Sequence, residues 1–408
     1  MQQNPSPRAL LTANINLTDS DGKSLRVQGL AELLHAAGFE VTLIVSRCNS
    51  TAAKMFSVME TKTPLRDILQ YPLVKRILHY SRESVLLLSF YAKLLVLGRN
   101  YKIVVSSLVG PETDSLLACM LSKISGAPFV YDYDDPTPEI RIEFFGRGAN
   151  DLRVRLSLFT RNILIRSASL MLTSAETVRH SIVKDFKTRV CVWYNLPKMD
   201  HVHVSKGKED VRQKLGFPKK SFIACYLGRV PSWFIIRLKT ILLEFTEEFK
   251  HDEDVLFLII GGGTWEKNYR ELIKKLGLDN RILITGMIPR ENALEYLMAS
   301  DLSCIPTDLG LAASNVVPTK LFESMALGIP ILAPRLSNYV QILGDDGIYF
   351  DGSPRDFVRN IRWCWANQKE LEKVSSNLKA RFLGQYNWKK RSLALKYVLK
   401  QMLHHSAK

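Results

Sequence analysis

Short apolar runs alternate along the chain with longer stretches in which apolar residues recur at helical spacing. In the first half, runs at 9–17, 41–46, 102–106, 128–131, 170–173 and 189–194 have the length of buried strands. Between them, 25–37, 115–125, 141–166 and 175–186 have helical periodicity, and in the third of these the stripe is Leu152, Leu156, Phe159 and Ile163. The second half repeats the pattern more cleanly, with strands at 222–227, 255–260, 281–284 and 302–305 and helices at 235–250, 265–276 and 291–299. Further helices run through 354–404. Strands separated by helices of about ten residues or more predict parallel sheets, because a parallel pair needs a long crossover. The polar, broken run 195–210 reads as a linker between two α/β domains.

The most informative stretch is 315–334. Pro318 suits a helix start, Leu321, Phe322, Met325 and Ala326 form one apolar face, Gly328 ends the helix, and 329–333 reads as a buried strand. Lys320 and Glu323 lie off that face, three residues apart. A helix N-terminus beside a lysine suits a phosphate, and a carboxylate one turn further in suits the hydroxyls of a ribose. The plainer reading is a common crossover unit carrying a surface ion pair.

At 408 residues, 46% of them hydrophobic, the chain has the means to bury two cores. Its six cysteines stand singly, which argues for a reducing compartment and against a disulfide framework or a zinc site. No apolar core follows the first eight residues, so no signal peptide is expected, and the run at 85–97 is too short to span a bilayer. The formal charge of +16 suits polyanionic partners: nucleic acid, anionic lipid or phosphorylated substrates. No nucleic-acid motif accompanies it.

Three polar features remain. The loop 18–24, which contains Gly22, follows the first strand where such folds bind ligands, but it lacks a dinucleotide fingerprint. Residues 132–139 cluster Asp132, Asp134, Asp135 and Glu139 at a strand end, and their mutual repulsion calls for nearby cations or substrate hydroxyls unless the turn is simply solvated. Residues 71–97, and the arginines Arg141, Arg147, Arg153, Arg155, Arg161 and Arg166, read either as core helices or as basic segments on a membrane surface. His201 and His203 lack further metal ligands nearby.

Taken in order, Gly228-Arg229, Gly261 to Gly263, Thr285-Gly286, Ala299 to Asp301 and Glu323 to Pro330 resemble the retaining, nucleotide-sugar-dependent glycosyltransferases of family 4. Residues 131–139, 174–176 and 192–195 resemble that family's N-terminal motifs. The resemblance implies the GT-B fold, two facing Rossmann-like domains with parallel sheets. They would comprise an acceptor domain at 1–199, a nucleotide-sugar domain at 200–384 and a closing helix at 385–408 packing back on the first. It implies a UDP- or GDP-sugar donor and no separate cofactor or metal. The acceptor would be lipid-linked or a growing glycan, and the protein would be cytoplasmic and peripheral on an anionic membrane face, with no nucleic-acid partner. Arg229 and Lys320 would bind the diphosphate, Glu323 the ribose, and the turn at Met287 and Ile288 the base, with Gly22, Gly263 and Thr319 also on the donor. The chain departs from the family at Arg237, where a diphosphate lysine is usual, at Asn315, where a glutamate is usual, and at Asp134, where a histidine is frequent near the reacting carbon. Those departures leave open a nucleotide-sugar epimerase of the same fold, or an inactive polyanion- or partner-binding homologue.

Overall fold

The computed structural model describes residues 6–17, 22–48, 50–60, 101–107, 112–135, 138–139, 142, 148, 150–199, 207–230, 235–307 and 309–406. The expectations for 71–97, Arg141, Arg147, His201 and His203 fall outside these residues. The chain divides into two compact units, Met1–Asn195 with Lys389–Lys408, and Leu196–Trp388.

Among the described residues the first unit holds a parallel sheet of β1 (Arg8–Asn16), β2 (Glu40–Arg47), β3 (Ser57–Glu60), β4 (Tyr101–Ser107), β5 (Phe129–Tyr133), β6 (Leu170–Thr173) and β7 (Val190–Val192). Their order is β3-β2-β1-β4-β5-β6-β7. Leu11 sits opposite Leu43 on one side and Val105 on the other, and all three are buried. Burial on both faces explains why these strands read as continuous apolar runs rather than alternating ones.

The helix expected over 141–166 runs Leu152–Ser167, with the Asp151 carboxylate accepting from the Arg153 N–H at 2.8 Å as an N-cap. Its apolar stripe faces outward. Leu152, Leu156, Phe159 and Ile163 are 68%, 53%, 65% and 38% exposed, while Val154, Ser157, Leu164 and Ile165 are buried on the opposite side. The helix has two apolar faces, and periodicity does not say which one its neighbours will cover.

The helix Trp388–Ser406 returns to the first unit. Lys396 Nζ donates to Ala36 O at 2.5 Å, Arg189 Nη2 to Gln401 Oε1 at 3.3 Å, and the Arg391 guanidinium lies over the Tyr194 ring.

The second unit carries β8 (Phe222–Leu227), β9 (Val255–Ile260), β10 (Ile282–Ile284), β11 (Leu302–Cys304), β12 (Ile331–Pro334) and β13 (Ile348–Phe350) in the order β10-β9-β8-β11-β12-β13, again parallel. Phe222, Phe245, Phe249, Phe257, Phe350 and Phe357 fill one side of this sheet. Asp301, part of a sequence motif, serves the sheet's amino-terminal edge: it accepts from the Ile223 N–H at 2.7 Å and pairs with Arg212 and Lys208.

Strand pairing continues past the ends of β8 and β9, through Gly228 N–H to Ile260 O at 2.9 Å and Val230 N–H to Gly262 O at 3.0 Å. The two backbones are so close that a methyl group on Gly261 would collide with Gly228 O, and Gly261 has φ +138°. Gly261→Ala is therefore expected to destabilise the protein by about 2 kcal/mol or more, from backbone strain plus overpacking. Urea denaturation would register the loss as a lower midpoint at unchanged slope.

Candidate functional site

In both sheets the strand order reverses direction once, between β1 and β4 and between β8 and β11. Ligands of doubly wound sheets bind outside the carboxyl ends of the strands at such a point. In the second unit those ends carry Gly228 and Arg229 after β8, Gly261 to Gly263 after β9, Gly286 to Ile288 after β10, and the loop leading to the helix Thr319–Leu327 after β11.

Lys320 Nζ stands 4.1 Å from the centroid of the buried Tyr226 ring, a cation–π contact. A methyl group on Gly228 would come within 2.5 Å of that ammonium, so the glycine is what lets Lys320 reach across β8. The Tyr226 hydroxyl donates to Arg229 O at 2.9 Å and pins the start of the next loop, while the Arg229 side chain is exposed. Burial brings the Lys320 ammonium down to about 8, and the nearby Glu323 carboxylate pulls the other way.

Gly263 packs on the Val230 backbone next to Arg229, and Gly262 approaches the Met287 amide so closely that a methyl group there would lie 2.8 Å from it. The Gly261 N–H donates to Thr285 Oγ1 at 3.0 Å, and that hydroxyl donates to Gly286 O at 2.9 Å. Met287 is exposed, whereas Ile288 packs on the cluster of Leu294, Leu297 and Ile329.

The helix Thr319–Leu327 starts after Pro318, as expected, and Gly328 closes it at φ +70°. Glu323 lies off the apolar face yet is only 4% exposed, which overturns the plainer reading of a surface ion pair with Lys320, and its Oε1 pairs with Arg290 Nη2 at 2.5 Å. Arg290 opens the helix Arg290–Met298 directly after the Met287 turn, so the pair ties that turn to the helix that carries Lys320. Sequence reading missed Arg290. A cation in the first turn of a helix opposes the helix dipole, and that was the available signal for an anionic partner elsewhere.

Asn315 and Thr319 are half-buried in and just after the loop preceding this helix. The buried Asn338 holds that loop by donating from Nδ2 to Ala313 O at 3.1 Å and Val316 O at 2.7 Å. Arg237 stands apart. Its Nε donates to Pro306 O at 2.7 Å and its Nη2 to Thr307 O and Gly352 O at 3.0 and 2.8 Å, so these donors fasten loops beside β11 instead of facing a phosphate.

The first unit has its own charge cluster at the carboxyl ends of β1, β4 and β5. Arg26, 3% exposed, forks onto Asp132, which also accepts from Ser107 Oγ at 2.6 Å. Asp134 accepts from Asn195 Nδ2 at 3.0 and 3.3 Å and lies 3.7 Å from Arg26, while Lys23 pairs with Asp135. Burial works against the Arg26 charge, but Asp132 and Asp134 more than offset this and hold its pKa up. Burial pushes the Asp135 carboxyl up, Lys23 draws it back, and Asp134 adds to the rise. The cations that the acidic cluster required are thus internal, Arg26 above all and Lys23 beside it, both near the start of one helix. Gly22 lies in the first turn of that same helix, Gly22–Ala36.

Residues 207–381 match the family model of glycosyl transferases group 1. Alpha-monoglucosyldiacylglycerol synthase of Streptococcus pneumoniae is 21% identical over 265 residues, 61% of this chain and 56% of that protein. Across the curated relatives it matches, the chain spans between about a fifth and just over half of their length. Sucrose-phosphate synthase from Thermosynechococcus elongatus superposes with a TM-score of 0.74 at 15% identity, over 98% of this chain and 100% of that one. Anabaena Alr3699/HepE in complex with UDP and glucose gives 0.66 at 15% identity, over 97% and 99%. The fold is that of the GT-B glycosyltransferases, two Rossmann-like halves with parallel sheets.

Proposed function

We propose that this chain is a retaining glycosyltransferase of family 4 that moves a hexosyl group from a UDP- or GDP-sugar to a lipid-linked or polysaccharide acceptor at the cytoplasmic membrane face. One observation carries the reading. The Lys320 ammonium sits over Gly228 beside Arg229 at the sheet's switch point, and Glu323 is held one helical turn further in by Arg290. A nucleoside diphosphate fits that order: diphosphate on Lys320, Arg229 and the helix N-terminus, ribose on Glu323, base along the Met287–Ile288 main chain. The group 1 model covers every one of these residues. The UDP bound to Alr3699/HepE and the lipid product named for the Streptococcus relative support the donor and acceptor classes.

Charge on the diphosphate grows as the sugar–oxygen bond breaks, so a fixed cation there lowers the barrier more than it strengthens ground-state binding. Arg229→Ala is accordingly expected to lower turnover by tenfold or more with a smaller change in donor affinity. The test is release of nucleoside diphosphate from a panel of UDP- and GDP-sugars, with and without membrane lipid extract. The anomeric configuration of any product is then read by NMR. Release from none of the donors would overturn the transferase reading, and an inverted product would overturn retention.

A further inference from the structure

We propose that the outward face of the helix Leu152–Ser167 docks on an anionic lipid bilayer, lying flat in its headgroup layer. Four large apolar side chains, Leu152, Leu156, Phe159 and Ile163, share one face at i, i+4, i+7 and i+11 and are exposed, while the opposite face is what packs on the protein. Leaving such a strip in water is unfavourable, and a row of this kind on one helix marks an interaction surface rather than scattered surface residues. The strip is about 16 Å long at 1.5 Å per residue, the scale of an interfacial helix and not of a span. No described helix is long and apolar enough to cross a membrane.

Charge selects the occupant. Arg153 is exposed on one flank of the strip, and Arg155 and Arg166 are exposed on the other. The helix itself carries no carboxylate: Asp151 caps its N-terminus, and Glu139 pairs with Arg161 on the inward side. Arginines bordering an apolar strip keep their heads at headgroup level while the strip inserts. The neighbouring helix Thr113–Ser125, which packs on this one, adds exposed Met120 and Ile124 with the exposed Lys123 between them. A second copy of the chain is a poor occupant. A two-fold contact through this face would bring each flank of arginines toward the same residues of its twin.

The inference deepens the partner reading of the proposed function. It is tested without donor or acceptor, so its failure would leave the transferase reading standing. The full-length protein is sedimented with vesicles of phosphatidylglycerol and phosphatidylcholine in equal parts, and separately with phosphatidylcholine alone. Wild type is expected in the anionic pellet at low salt, with binding that falls as salt rises. Leu156→Ser with Phe159→Ser should lower the bound fraction tenfold or more at an unchanged melting temperature, because both side chains are already in water. A second pair, Leu152→Ser with Ile163→Ser, should do the same. Arg153→Ser with Arg155→Ser should weaken binding and flatten its salt dependence. Wild type remaining in the supernatant, or both serine pairs binding like wild type, overturns the proposal. So does a dimer in sedimentation velocity that the serine pairs dissociate, which would assign the face to a second copy.

Discussion

Glu323→Ala is expected to weaken binding of the nucleotide donor by roughly 10- to 150-fold, the loss of one charged partner worth about 1.5–3 kcal/mol. The carboxylate is buried and already oriented by Arg290, so a ribose bound there would meet a positioned acceptor with little ordering left to be done. Arg290→Ala should weaken the donor less than Glu323→Ala, because it leaves the carboxylate in place but no longer steered. Titration calorimetry on the two variants side by side separates them. Equal affinity for wild type and Glu323→Ala would remove this carboxylate from the ribose.

A comparable loss, this time mainly in turnover, is expected at Lys320. Lys320→Ala should lower it by about 100–1000-fold if the ammonium faces the leaving diphosphate in a water-poor site. Its pH dependence has a definite sign. Burial brings the ammonium down to about 8, so in the free protein its charge is lost as pH rises through that value. Donor affinity should therefore fall above about pH 8, and binding there should take up a proton, because the diphosphate favours the charged form. Stability of the free protein moves the other way. A lysine whose folded pKa lies below its unfolded value penalises the fold while charged, and that penalty is relieved between about 8 and the ordinary lysine range. Lys320→Arg retains charge to far higher pH, so its donor affinity should stay level where the wild type declines. A decline identical in both proteins would place the titrating group elsewhere.

Most of the fold could be read from the chain because its strands are buried on both faces and its helices are long. Runs such as 222–227 and 255–260 coincide with β8 and β9. The turn glycines at 228 and 261–263 were visible as breaks between apolar runs, and Lys320 and Glu323 as charges near a helix start. What local spacing could not reveal was pairing across distance. Arg290 meets Glu323 from 33 positions upstream, and Arg26 meets Asp132 from 106 positions upstream. Neither separation follows from a helical or strand period, although an unpaired cation at a helix start and a carboxylate cluster in need of cations each pointed to a missing partner. Arg237 shows the reverse limit. Its place in the sequence suits a phosphate, but three carbonyls at the end of β11 and after β13 occupy its donors. The helix 152–167 shows a third, since two apolar faces give one periodic signal and only the neighbouring sheet decides which is covered.

Equilibrium titration of the purified chain with UDP and with GDP tests the central claim most directly, because it needs neither the right sugar nor the right acceptor. One saturable site is expected for at least one of the two nucleotides. Its affinity should fall above about pH 8 and be lost when Lys320→Ala and Glu323→Ala are combined. Binding of neither nucleotide, or affinity untouched by the double substitution, would contradict that claim.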